Sequence, residues 1–220
     1  MNPDKQLFLR SHIKVPMLVS DFSSMAGSTA VNLISGQNEL IPYVAVLCVG
    51  PPCTSKSTLN SRRSENASCI QEGSSATGKG FKATFDFLQS HLPDVVVIEN
   101  VVGVQQEGEE DFVLAQLKGM GYWTRTLSFN ADTYGSAASR LRWYCVALRV
   151  QETSVEKSLG PRMESMHGQL MTALAISPFE AERFVVLDED DLAWVSQKLG
   201  FFPRPHATRR DDQDCSYKDD

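Results

Sequence analysis

A thiol held stiffly at the end of a strand can act as a nucleophile, and Cys53 occupies such a place. It closes Gly50-Pro51-Pro52-Cys53, directly after the apolar run Val44-Ala45-Val46-Leu47-Cys48-Val49. That run is uniform rather than alternating, which reads as a strand covered on both faces, as in parallel α/β sheets. Ligands of such sheets bind just beyond the carboxyl ends of the strands. The two prolines fix φ and push the residues before them toward extended geometry, so Cys53 is aimed rather than loose. Two further segments carry groups suited to the same chemistry. Glu99 and Asn100 end a second apolar run, and Arg140 and Arg142 lie two apart in an extended stretch, where alternation points them the same way.

Around these residues the elements follow from periodicity. Asp94 to Val101 reads as a strand emerging at the same sheet edge as Cys53. Phe81, Phe85 and Leu88 recur at helical spacing with Phe87 beside them, and Pro93 marks the turn. Strand, helix and strand make one βαβ crossover. Trp143 to Leu148 is a further strand after the arginines. Val15 to Asp21 reads as a short strand ending in an acid. Ser64 to Gly80 reads as a polar loop whose Gly73–Gly80 end is a flexible connection, since it lacks the pattern of a phosphate loop.

These residues resemble the cytosine-C5 DNA methyltransferases. Pro51-Pro52-Cys53 looks like that family's nucleophile motif and Glu99-Asn100-Val101 like its Glu-Asn-Val motif. Leu114 to Leu148, through Tyr134-Gly135 to Arg140-Leu141-Arg142, is similar to the region of its Gln-x-Arg-x-Arg motif. The order also fits, and the resemblance covers about residues 40 to 150. It implies an α/β Rossmann-like fold of the S-adenosylmethionine-dependent methyltransferases, with an incomplete first half. It also implies transfer of a methyl group from S-adenosylmethionine to carbon 5 of cytosine in DNA. In that reaction the Cys53 thiolate adds to carbon 6, and Glu99 hydrogen-bonds and protonates ring nitrogen 3. Arg140 and Arg142 offer donors to the base carbonyl and the phosphate, and Asn100 holds the nucleophile loop, with Pro51 and Val101 in support. The target base must leave the duplex stack to meet the thiol. Lys56 to Arg63, with Arg62 and Arg63, lies where the family has a mobile loop over DNA.

The departures are as informative. Ala138 stands where the glutamine of the arginine motif is expected, Ala137 where a proline is usual, and Thr54 where glutamine is common. No Phe-x-Gly-x-Gly turn is evident before Pro51. On the cofactor side the resemblance therefore leaves Asp21, similar in placement to the family's acid, and Pro52. A rival alignment takes Asp21 to Gly27 as a degraded glycine-rich turn, and either one puts Asp21 near the cofactor. Neither the closing asparagine motif nor the returning helix is found. Two alternatives stay open. One is a catalytically silent or split-enzyme protein that binds nucleic acid or a complementing methyltransferase chain. The other is a relative that methylates tRNA. An unrelated α/β protein with a structural thiol is the third class.

Composition bounds these readings. The chain has 220 residues, 42% hydrophobic, enough for one sizeable core in residues 1–150 and a small α+β appendage in 151–220 with a charged, acidic tail. In the appendage, helices are expected near Leu170–Ile176 and Asp190–Leu199, and a strand at Phe184–Leu187. The five cysteines and four histidines form no ligand spacing, so neither a metal site nor a disulfide framework is expected, and Cys48 and Cys145 read as core packing. No membrane span or signal pattern appears, which makes an intracellular protein the expectation, nuclear if eukaryotic. The net charge of -6 opposes phosphate binding. Acid gathers toward the C-terminus, however, while Lys56, Arg62, Arg63, Lys79, Lys82, Arg140 and Arg142 lie near the expected cleft, where local charge governs the contact.

Overall fold

The computed structural model describes residues 7–9, 15–57, 60, 61, 65, 67–136, 138–150, 161, 162, 165, 166, 168, 169 and 171–175. The chain divides after Pro178, and every described residue lies in the first unit, Met1–Pro178. Its centre is a four-stranded sheet. In chain order the strands are β1 (Thr29–Val31), β2 (Asn38–Leu40), β3 (Val46–Val49), β4 (Val95–Asn100), β5 (Tyr122–Asn130) and β6 (Leu141–Arg149); the helices are α1 (Ser75–His91) and α2 (Glu109–Gly119). The central sheet runs β3-β4-β6-β5, and β1 and β2 form a separate hairpin.

The βαβ unit β3-α1-β4 stands where the sequence puts it, with Val49 opposite Ile98 in parallel register. The rest of the sheet is antiparallel, β6 pairing β4 on one side and β5 on the other. Strand β5 and helix α2 are additions to the sequence reading. The alternation of β5, Tyr122-Trp123-Thr124-Arg125-Thr126-Leu127, is a legible strand signal of aromatic and β-branched residues.

Alternation also sorts the two faces. Val96, Ile98 and Asn100 on β4 sit across from Ala147, Cys145 and Trp143 on β6, and all six are buried. Onto this face pack Phe81, Phe85 and Leu88 of α1 and Val113 and Leu117 of α2, which form the core. The opposite face is open at β3. Val46 is 56% exposed and Cys48 is exposed too, so β3 is not covered on both faces and Cys48 is not core packing. The reason is positional. Among the described residues β3 is an edge strand, and α1 and α2 both lie against the other face. Cys145 does belong to the core, and burial pushes its thiol up to about 12.

Two further expectations change. Val15 to Asp21 is not a strand. Leu18 instead docks on the hairpin: its amide donates to Asn32 Oδ1 at 3.1 Å and its carbonyl accepts from the Leu33 amide at 2.7 Å. Nor is Gly73–Gly80 a flexible connection, because α1 begins at Ser75 and its glycines serve close packing. A Cβ on Gly78 would stand 1.9 Å from the Cys69 carbonyl oxygen, and one on Gly80 would stand 2.6 Å from Pro52 Cδ. Since the obstacle at Gly78 is backbone, Gly78→Ala is expected to destabilise the fold by about 3 kcal/mol, near the upper end for overpacking. A lower urea midpoint at unchanged slope would establish it.

Candidate active site

The Pro-Pro-Cys loop leaves β3 and is gripped from two sides. On one, α1 brings Gly80 against Pro51 and Pro52 with no room for a side chain. On the other, Asn100, 1% exposed at the end of β4, donates from Nδ2 to the Pro51 carbonyl at 3.0 Å. Its Oδ1 accepts the Val101 amide at 2.9 Å, so the buried amide is used at both ends. Asn100 thus links the Pro-Pro-Cys loop to the Val101 backbone. Cys53 follows, half-buried, and its carbonyl accepts from the amides of Lys56 at 3.0 Å and Ser57 at 2.9 Å, which turns the chain back at once.

Glu99 precedes Asn100 and therefore points to the opposite face of β4. Its Oε1 lies 3.2 Å from Arg142 Nε, and a Cβ on Gly50 would come within 3.3 Å of its Oε2. The missing side chain at Gly50 is what lets the carboxylate lie beside the start of the Pro-Pro-Cys loop. Arg142 Nη1 donates to the Leu141 carbonyl at 2.8 Å, which holds the guanidinium toward Glu99. Arg140 is set by Asn130, whose Oδ1 accepts the Arg140 amide at 2.7 Å and whose Nδ2 donates to Ser139 Oγ at 2.9 Å.

Glu99, Arg140 and Arg142 share one cavity of about 760 Å³. Phe129, Tyr134 and Tyr144 also line it, with Met166, Met171 and Leu174 from helical residues in the range 161–174, so helical structure begins earlier than expected there. Strand Phe184–Leu187 and helix Asp190–Leu199 lie outside the described residues, as do Arg62 and Arg63. Asp21, Pro51 and Pro52 line a second cavity of about 650 Å³, together with Phe22, Lys79 and Lys82. Cys53 lines neither. The Gly50–Glu99 contact is the point where the two sets of residues meet.

Asp21 caps the 3₁₀ turn Phe22–Ala26, accepting from the Ser23 amide at 2.8 Å and the Ser23 hydroxyl at 2.7 Å. Those two bonds hold its carboxyl below the usual range, and the group stays near the surface as an anion. Lys82 is paired with Asp86 at 2.9 Å. Lys56 overturns its expected place on the cleft: it is 4% exposed and its ammonium reaches Glu107 at 3.1 Å. Lys56, Glu107 and Glu109 were missed as a unit. Glu109 stands in the first turn of α2, where an acid is ordinarily a solvated partner of the helix dipole, so no local signal marks its burial. Among the described residues no group of acids, cysteines and histidines could hold a metal ion, and no helix is long and apolar enough to cross a membrane.

A cysteine loop pinned by the Asn100 amide thus stands at the carboxyl ends of β3 and β4, with a carboxylate paired to an arginine on the other face of β4. The family model for C-5 cytosine-specific DNA methylases matches residues 28–188, and the chain belongs to that family. Its sheet and helices form a mixed α/β fold. Among solved structures it is similar to DNMT2 of Spodoptera frugiperda, at 23% identity and TM-score 0.37 over 50% of this chain and 31% of that one. It is similar to a DNA modification methyltransferase encoded within an E. coli prophage, at 20% identity and TM-score 0.36 over 49% and 27%. The methyltransferase EhMeth of Entamoeba histolytica matches at 17% identity and TM-score 0.36 over 50% and 33%. The chain thus spans about a third or less of the length of these proteins. No curated protein matches it.

Proposed function

We propose that this chain methylates carbon 5 of cytosine in DNA through a covalent bond between Cys53 and carbon 6. The observation that carries the reading is the pinned loop: Asn100 fixes Pro51 on one side of β4 while Glu99, the next residue back, presents its carboxylate with Arg142 on the other. The Cys53 sulfur forms a bond to carbon 6, the ring's 5,6 electron pair shifts toward carbon 5, and Glu99 supplies a proton to nitrogen 3. Once carbon 5 carries the methyl group, it loses its proton to a base, the Cys53 thiolate leaves carbon 6, and the nitrogen-3 proton returns to the Glu99 carboxylate, which restores the ring. Arg140 and Arg142 orient the base or its phosphate from the shared cavity.

For the cofactor, the second cavity suits the polar end of S-adenosylmethionine: the Asp21 anion, Pro51 and Pro52 line it at the carboxyl end of β3. When bound, S-adenosylmethionine supplies the methyl group. Of the glycines that line this cavity, Gly80 packs against Pro51 and Pro52, and a Cβ on Gly50 would come within 3.3 Å of Glu99 Oε2. A complementing chain is the second reading, and the open β3 edge with exposed Val46 and Cys48 favours it. Methylation of tRNA uses the same side chains, because the thiol and carboxylate act on the base and not the sugar.

The deciding experiment mixes the chain with S-adenosylmethionine and a 5-fluorocytosine oligonucleotide, in DNA and RNA form. Fluorine at carbon 5 cannot leave as the proton does, so a productive attack is trapped as a complex that survives denaturation. A cofactor-dependent complex with DNA alone supports the proposal, and one with RNA alone moves the substrate to RNA. No complex with either, and no heat stabilisation by the cofactor, favours the complementing chain.

A further inference from the structure

Lys56 lies three residues beyond Cys53, yet its side chain runs into the protein. The ammonium donates to the Ala67 carbonyl and to Glu107 Oε2, and sits 4.0 Å from Glu109 Oε1. Glu109 has no exposed surface, and its two oxygens accept the Ile70 amide at 3.0 and 2.9 Å. Burial raises the Glu109 carboxyl and the Lys56 charge opposes that rise. Charges this deep each cost several kcal/mol to desolvate, and apolar residues of similar volume often stabilise a fold as well or better. Stability alone is therefore a weak reason for the network.

The backbone at Lys56 supplies a stronger one. Its amide donates to the Cys53 carbonyl, and its own carbonyl lies so near Gly103 that a Cβ there would come within 2.3 Å of it. Next to it, the Ser55 amide donates to Thr77 Oγ1 at 3.2 Å and the Ser55 hydroxyl bonds Ser75 Oγ at 2.8 Å, which ties the loop to the start of α1. Upstream of the thiol the loop is held by Asn100 through Pro51. Cys53 is thus suspended between two anchors, an amide before it and an ion network after it.

We infer that Lys56, paired with Glu107 and Glu109, is a positioning residue that fixes the reactive loop, and not a nucleic-acid contact. This rests on the methyl-transfer reading for its rate measurement and on geometry alone for the rest. A misplacement of about 1 Å can cost about 100-fold in rate. The test compares the full chain with Lys56→Met on the 5-fluorocytosine DNA and RNA oligonucleotides. The expected result is an adduct rate about 100-fold lower at saturating oligonucleotide. Kd and its salt dependence stay unchanged, and the double variant Lys56→Met/Glu109→Met recovers Tm without recovering the rate.

A salt slope reduced by about one with an unchanged saturated rate would make Lys56 a phosphate contact and overturn the inference. A lower Tm with an unchanged rate per folded molecule would make it merely structural, which also overturns it. Should Lys56→Met fail to fold, Glu107→Gln, at the more exposed end of the network, carries the same comparison with a fall of about 10-fold, within the range that misplacement allows. If the unmodified chain forms no adduct, the methyl-transfer reading fails, and hydrogen exchange then decides the positioning role. Faster exchange of the Lys56 and Ser57 amides in Lys56→Met supports it, and unchanged protection ends it.

Discussion

Cys53→Ala removes the denaturation-resistant complex altogether and lowers methyl transfer by about 10⁴-fold or more, the scale seen when a covalent nucleophile is deleted. No other described cysteine can stand in. Cys145 and Cys69 are fully buried, and burial raises both thiols, Cys145 to about 12, so neither is a thiolate near neutral pH. Cys48 is exposed but lies within β3, on the sheet face away from the core, where the strand fixes its direction. Cys53 alone belongs to the loop held by Asn100 and Lys56. Because its side chain is only half-buried, alanine there should change stability by about 1 kcal/mol or less. Intact mass after denaturation, with Tm measured alongside, separates loss of the nucleophile from loss of the fold. A complex that persists in Cys53→Ala, with its mass on another residue, would remove Cys53 from the mechanism.

What made Cys53 legible in the sequence is that its cues are local. Apolar runs, the double proline and the Glu-Asn pair all act within a few residues, and β3 and β4 followed from them with only small shifts at the ends, whereas α1 begins at Ser75, inside the stretch read as a loop up to Gly80. Glu99 and Asn100 were readable for the same reason, since period-2 alternation assigns adjacent residues to opposite faces. Where the reading went astray, the deciding neighbours were distant in sequence. The apolar run of β3 implied cover on both faces, but cover depends on what packs there, and α1 and α2 both take the other side. Gly78 and Gly80 looked like flexible punctuation because their partners, the Cys69 carbonyl and the two prolines, come from elsewhere in the chain.

Lys56 shows the same limit for charge. A lysine within a polar, basic stretch normally lies in solvent, and only Glu107 and Glu109, about fifty residues further on, turn it inward. The cationic surface expected around the cleft is thinner in consequence. Lys56 is withdrawn into the protein, and Arg142 and Lys82 are each matched by a carboxylate. On the proposed function, affinity for nucleic acid is expected to rest more on the cavity lined by Arg140 and Arg142 than on phosphate neutralisation by these groups, which predicts a shallow salt dependence.

Glu99→Gln is expected to slow adduct formation by about 10³-fold, in the middle of the range for a lost general acid, while nucleic-acid Kd changes less than about threefold. Glutamine keeps the shape of the side chain and an oxygen for Arg142 Nε, now 3.2 Å from Glu99 Oε1, so the arginine keeps its direction. What is lost is the proton that the carboxyl group would deliver to ring nitrogen 3 as electrons move onto the ring. That loss falls on the rate at saturation, because the base can still enter a cavity lined by Arg140, Arg142, Phe129 and Tyr144. Glu99→Ala should be slower still and should weaken binding, since Arg142 is then left without its carboxylate. Single-turnover rates against oligonucleotide concentration give the two quantities separately. An unchanged saturated rate with a weakened Kd would make Glu99 a binding group that orients Arg142, and the proton would have to come from elsewhere.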